Sequence, residues 1–127
     1  MNSILKYLKL PYALVAFLLL ITTSCETDDS VLDDPGNLKE YRDQVGKTFS
    51  FRVIGTDEGS VWGGADGIYT DDSILAKAAV HAGKVSIGEE AIVNVTILEG
   101  QSSYTGNKQN GIITSNWDSW DGSFKFE

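Results

Sequence analysis

Cysteine, histidine and positive charge are all scarce in this chain of 127 residues, and each shortage excludes a class of protein. Cys25 is the only cysteine, so the fold is not a disulfide scaffold. His81 is the only histidine, and zinc requires clustered His and Cys ligands that one of each does not supply. There is a single long apolar run, which excludes a polytopic membrane protein. The 13 glycines follow no fixed period and no segment repeats, which excludes collagen-like and solenoid architectures. The length suits one domain with a modest core and excludes a large multi-domain enzyme. After Cys25 there are eight basic and 18 acidic residues, a formal charge of −10. Binding a phosphate backbone needs a basic face, so nucleic acid is not an expected partner.

The N-terminal stretch has the layout of an export signal. Lys6 and Lys9 precede Leu10–Ile21, twelve residues without a charge. That run is short of the ~20 apolar residues of a spanning helix and fits a signal-peptide core. Thr22-Thr23-Ser24-Cys25 follows and resembles a bacterial lipobox, although Thr22 stands where an aliphatic residue is usual. The resemblance implies a type II signal peptide over residues 1–24 and acylation at Cys25, with palmitate-like chains anchoring the protein to a membrane. It implies an extracytoplasmic lipoprotein of the outer membrane or cell surface. An ordinary signal peptide with an incidental cysteine and an uncleaved anchor are the alternatives. Residues 26–34 hold five acids and no base, so residues 25–38 are expected to form a solvated, flexible tether. The same run resembles a surface-export tag, and Asp29-Ser30-Val31 resembles an O-glycosylation acceptor.

Residues 39–127 are expected to fold. Thr48–Val53 alternates, with Phe49, Phe51 and Val53 on one face, as a half-buried strand does. Asp57–Ser60 reads as a turn, and Val61-Trp62 and Ile68-Tyr69 as short extended pieces around Gly63–Gly67. The period then becomes helical: Ile74, Leu75, Ala78, Ala79 and Ala82 share a face, Thr70–Ser73 offer caps, and Gly83 is a stop. The spacing predicts one helix over about 72–82, thin and surrounded by strands. Ile92–Leu98, Gly111–Thr114 and Ser123–Phe126 read as strands, and Gly100–Asn110 as a polar loop. The expected fold class is α+β: one central helix wrapped by short, mostly antiparallel strands in two sheets.

Six blocks occur in order: Val61-Trp62-Gly63, Tyr69–Ser73, Ala78–Gly83, Tyr104-Thr105-Gly106, Asn110-Gly111-Ile112 and Gly122–Phe126. Over about residues 45–127 the chain resembles the LCCL domain, in the cysteine-free form suited to a bacterial lipoprotein. Animal members bear a cysteine near the start of the helix, about where Ala76 falls. The resemblance implies a central helix wrapped by two sheets, and recognition of lipopolysaccharide or another surface glycan without catalysis.

The residues themselves offer little chemistry. Ser73 reads as a helix cap and His81 as a hydrogen-bonded core residue, with a ligand contact as its secondary role. Asp57, Glu58, Asp66, Asp71 and Asp72 are clustered carboxylates of the type calcium prefers, but they lack EF-hand spacing, and no metal or other cofactor is expected. The aromatic residues are the candidate ligand contacts: Trp117, Trp120 and Tyr104 first, then Trp62 and Tyr69, with Asn110 and His81 beside them. Residues 35–127 carry a formal charge of −5, which opposes an anionic lipopolysaccharide and suits a neutral glycan at least as well. A docking module for another envelope protein is the alternative function. A small hydrolase is a third, and would need a carboxylate pair converging on His81.

Overall fold

The computed structural model describes residues 30–127; the leader, Cys25 and the first acidic residues lie outside them. Seven strands and one α-helix follow in chain order. They are β1 (Val31–Asp33), β2 (Thr48–Ile54), β3 (Ile68–Thr70), α1 (Leu75–His81), β4 (Glu90–Gln101), β5 (Lys108–Gln109), β6 (Ile112–Ile113) and β7 (Trp120–Phe126). A 3-10 turn at Lys39–Tyr41 separates β1 from β2. Five strands form one sheet in the order β1-β2-β4-β7-β3, and β5 and β6 pair as a small separate hairpin. Only the β1–β2 pairing is parallel.

The alternation in Thr48–Ile54 does what a period of two requires. Phe51 and Val53 are buried, while Arg52 and Ile54 are exposed. On β4, Val93, Val95 and Ile97 turn inward, and β7 adds Phe124. The outward face closes on itself through cross-strand pairs: Thr48 with Thr96 (2.9 Å), Ser50 donating to Asn94 Oδ1 (2.6 Å) and Arg52 with Glu90 (3.4 Å). Such pairs contribute about 0.2–1 kcal/mol each.

The helix-centred α+β expectation is corrected here. The fold is mostly β, and α1 is only seven residues long, shorter than the expected span of 72–82. Ile74 is extended (ψ 117°), and no side chain caps the first turn. Ser73, expected as the cap, is occupied elsewhere: its Oγ accepts the Trp62 N–H (3.0 Å) and bonds Thr70 Oγ1 (2.9 Å). The helix ends as its glycine predicts. Gly83 (φ +79°) donates to Val80 O, and Lys84 N donates to Ala79 O, both at 2.9 Å, closing a Schellman turn. Six of the seven helix residues are buried, among them Ala76 at the family's cysteine position. The alanines let the helix share one core with the sheet residues, but large β-strand side chains fill most of that core.

A second correction concerns the tether. Residues 31–38 belong to the fold: Val31–Asp33 is an edge strand, and Leu38 is fully buried. Gly36 O accepts the N–H of Leu75, one of the donors that a helix start leaves unpaired (2.9 Å). A third concerns Gly100–Asn110, expected as a loop. β4 runs on to Gln101, and Lys108–Gln109 pairs with Ile112–Ile113 across Asn110 (φ +50°) and Gly111 (φ +80°). Two positive φ values make this a type I′ turn, which Asn-Gly favours.

Candidate functional site

Asp71 fastens the N-terminal segment to the end of the chain. Its side chain is 1% exposed. Oδ2 accepts Arg42 Nε (2.7 Å), while Oδ1 accepts Arg42 Nη2 (2.9 Å) and Trp120 Nε1 (2.8 Å). The Arg42 guanidinium also lies over the Trp120 ring, 5.7 Å from its centroid. The hydrogen bond to Asp71 holds the Arg42 pKa above its usual value, against the opposing effect of burial. Backbone bonds complete the latch: Leu38 N donates to Asp71 O (2.8 Å), and Asp71 N donates to Gly122 O (3.0 Å). The Trp120 indole N–H is therefore committed to this latch.

His81 is fully buried, with both ring nitrogens bonded to neutral groups. The direction of the network follows from one fixed acceptor, its own carbonyl. Gln109 Nε2 donates to His81 O (3.4 Å), so Gln109 Oε1 accepts from Asn107 Nδ2 (3.2 Å). Asn107 Oδ1 then accepts from His81 Nε2–H (2.8 Å), leaving Nδ1 to accept the Tyr69 O–H (2.8 Å). Burial, with the nearby Asp66 charge adding to it, pushes the Tyr69 phenol pKa well above its usual value, which keeps that donor protonated. Asn110 Nδ2 also donates to His81 O (2.8 Å), so the hairpin is tied to the helix end. The ring has no room around it: a Cβ at Gly64 would lie 2.8 Å from His81 Cε1. Among the described residues no carboxylate bonds to the His81 ring.

The remaining aromatics separate clearly. Tyr104 is buried, bonded to Ser123 Oγ (2.6 Å) and accepting from Gln101 N (2.9 Å). Trp117 is 45% exposed, held by backbone bonds to Tyr104 at 2.8 and 3.0 Å. Its ring meets that of Trp62 edge-to-face at 6.0 Å, and Trp62 is itself braced by a bridge to Ser115. Among the described residues neither indole N–H has a hydrogen-bond partner. The segments that build this platform, residues 60–66, 102–106 and 114–119, contain Asp66 and Asp118 but no base.

Two concavities lie elsewhere. One, about 550 Å³, has Val80, Lys84, Val85, Ile87, Glu89 and Asn110 among its walls. The other, about 230 Å³, includes Gly64, Tyr69, Lys84, Gln109 and Phe126. Neither contains Trp117 or Trp120. Asn110 and Tyr69 reach these concavities; Trp62 and Tyr104 do not. Of the carboxylates considered for calcium, Asp71 is engaged in the latch and Asp66 Oδ1 accepts from Ile68 N (3.0 Å), while Asp72 Oδ1 is buried with no hydrogen-bond partner among the described residues. Among the described residues no three His, Cys, Asp or Glu side chains converge as a metal site.

The sequence pattern did not single out Arg42, Asn107, Gln109 or the 84–91 wall. The Asn110-Gly111 hairpin signal would have placed Asn107 and Gln109 beside the helix; Arg42 carries no comparable local signal.

The family model of the LCCL domain fits residues 27–124, starting well before residue 45 and taking in β1 and Leu38. No curated protein matches the sequence.

Proposed function

This chain belongs to the LCCL domain family, a family of binding modules, and from that premise we propose that it is a non-enzymatic binding domain for a neutral surface glycan. In this reading Cys25 carries the lipid anchor and the domain works at the outer membrane or cell surface. The observation that carries the glycan assignment is Trp117, 45% exposed and braced by Trp62. A rigid indole face stacks on the apolar face of a sugar ring, and the two unpaired indole N–H groups offer donors to its hydroxyls. The platform is open, not a pocket, which suits one or two residues of a long chain better than an enclosed small molecule. The segments that build it carry Asp66 and Asp118 and no base, which favours an uncharged sugar over the phosphates of lipopolysaccharide.

Tryptophan fluorescence of residues 26–127 tests this against a neutral glucan oligosaccharide, a chito-oligosaccharide and lipopolysaccharide. A saturable change with a neutral sugar, lost in Trp117→Ala, is expected. A change with lipopolysaccharide alone would overturn the neutral-sugar assignment.

Docking on an envelope protein is the second reading, and Ile113 favours it. This side chain is 70% exposed on the hairpin, the most exposed large apolar residue among the described residues. If no glycan perturbs any tryptophan, this reading takes precedence.

A further inference from the structure

We propose that the 550 Å³ groove beside the end of α1 is a separate binding site for a short zwitterionic peptide with aliphatic side chains. Its volume lies within the ~300–1,000 Å³ of small-ligand sites. The lining combines charged Lys84, Glu89 and Glu90 with apolar Val80, Val85 and Ile87. Lys84 lines both this groove and its smaller neighbour. Its ammonium donates to the Glu127 backbone carbonyl (3.0 Å), which leaves two of its three protons for a ligand carboxylate. Glu89 and Glu90 line the wall where β4 begins. Glu90 is paired with Arg52, but Glu89 has no ion-pair partner among the described residues. Val80, Val85 and Ile87 lie along the groove, and Ile87 is 54% exposed.

This wall is already ordered. Gly55 N donates to Glu89 O (2.9 Å), Gly88 N to Gly55 O (2.8 Å) and Glu89 N to Ser86 O (3.1 Å), fixing residues 86–89 against the end of β2. A preformed wall spares a ligand the entropy of ordering it. The charge pattern selects the class. A polyamine would be repelled by Lys84 and a phosphate by Glu89, and a neutral sugar carries no charge to complement either. A peptide with a free carboxylate, a free ammonium and an aliphatic body uses all three features. The groove shares no residue with the Trp62–Trp117 platform, so the two proposals stand or fall separately.

Amide NMR titration of residues 26–127, which contain the whole compact unit 31–127, tests the site. The probes are free Ala-Leu-Ala and the same tripeptide acetylated and amidated. Saturable shifts confined to residues 84–91 and Asn110 are expected, with the capped peptide at least about tenfold weaker. Lys84→Met and Glu89→Gln should each weaken the free peptide to a level between its original and the capped affinity, and as surface changes they should leave stability within about 0.5 kcal/mol. Absence of saturable shifts at about 50 mM peptide, equal shifts from both peptides, or shifts at Trp62 and Trp117 instead would each overturn the proposal.

Discussion

Removing Arg42 should cost more than removing the charge of its partner, although Arg42 is the more exposed of the two. Its side chain is 35% exposed, against 1% for Asp71. In Arg42→Met the carboxylate stays in place and loses two short charge-assisted bonds, keeping only the Trp120 N–H from a side chain. Breaking a buried pair from one side costs about 3–5 kcal/mol, because a charge is left without compensation. The half-exposed partner places this case near about 3 kcal/mol. In Asp71→Asn the guanidinium turns to water, and Asn Oδ1 still accepts from Trp120. Turning away relieves the donor-to-donor contact that Asn Nδ2 would make with Arg42 Nε, and the lost bonds cost about 1–2 kcal/mol. The double variant should cost less than the sum of the two single changes, since the second removes what the first has already spoiled.

Urea unfolding of the three variants measures this directly, with equal slopes required for the comparison. Against a total stability of about 5–15 kcal/mol, a loss near 3 kcal/mol moves the midpoint far outside error. For a domain of this size 1 kcal/mol shifts Tm by about 4–8 °C, so thermal melts provide a second reading. If Asp71→Asn proves equal to or worse than Arg42→Met, or if the two add fully, the pair is not the latch described.

Gly122→Ala should destabilise by about 1–3 kcal/mol in calorimetry, because its Cβ would overlap the Asp71 carboxylate that the latch requires. Tyr69 gives a pH signature. Its folded-state pKa is raised, so the stability it contributes is whole below the unfolded pKa near 10 and is lost as pH rises through the folded value. Across that window each pH unit should remove about 1.4 kcal/mol, and Tyr69→Phe should start less stable yet flatten the alkaline limb by one proton. Cys25→Ser should abolish incorporation of labelled palmitate and release the protein from the membrane fraction. Retention of the serine variant there would end the lipid-anchor reading.

The fold was partly legible because its longest signals are local. The alternation of Phe49, Phe51 and Val53, the Gly83 stop and the ordered family blocks each act over a few residues, and each corresponds to an element or turn in the structure. The helix-centred fold was not legible. Alanine-rich spacing fits a helix wherever it occurs, but whether Thr70–Ser73 cap it depends on Trp62, eleven residues before Ser73. The place of Leu38 was hidden for a similar reason. Its burial depends on Asp71 and Gly36, and the acidic composition around β1 reads as solvated until a parallel strand partner is supplied. At the candidate site, exposure decided what residue type did not. Trp117 and Trp120 look alike in sequence, yet one shows its ring to solvent and the other spends its N–H on Asp71.

Amide NMR titration of residues 26–127 with neutral oligosaccharides and, separately, lipopolysaccharide tests the glycan-binding claim most directly. The account predicts saturable shifts with a neutral sugar centred on Trp117, Trp62, Ser115 and Tyr104, and none from Trp117→Ala with the fold otherwise unchanged. Shifts that bypass Trp117, or no shifts with any sugar at millimolar concentration, would contradict it.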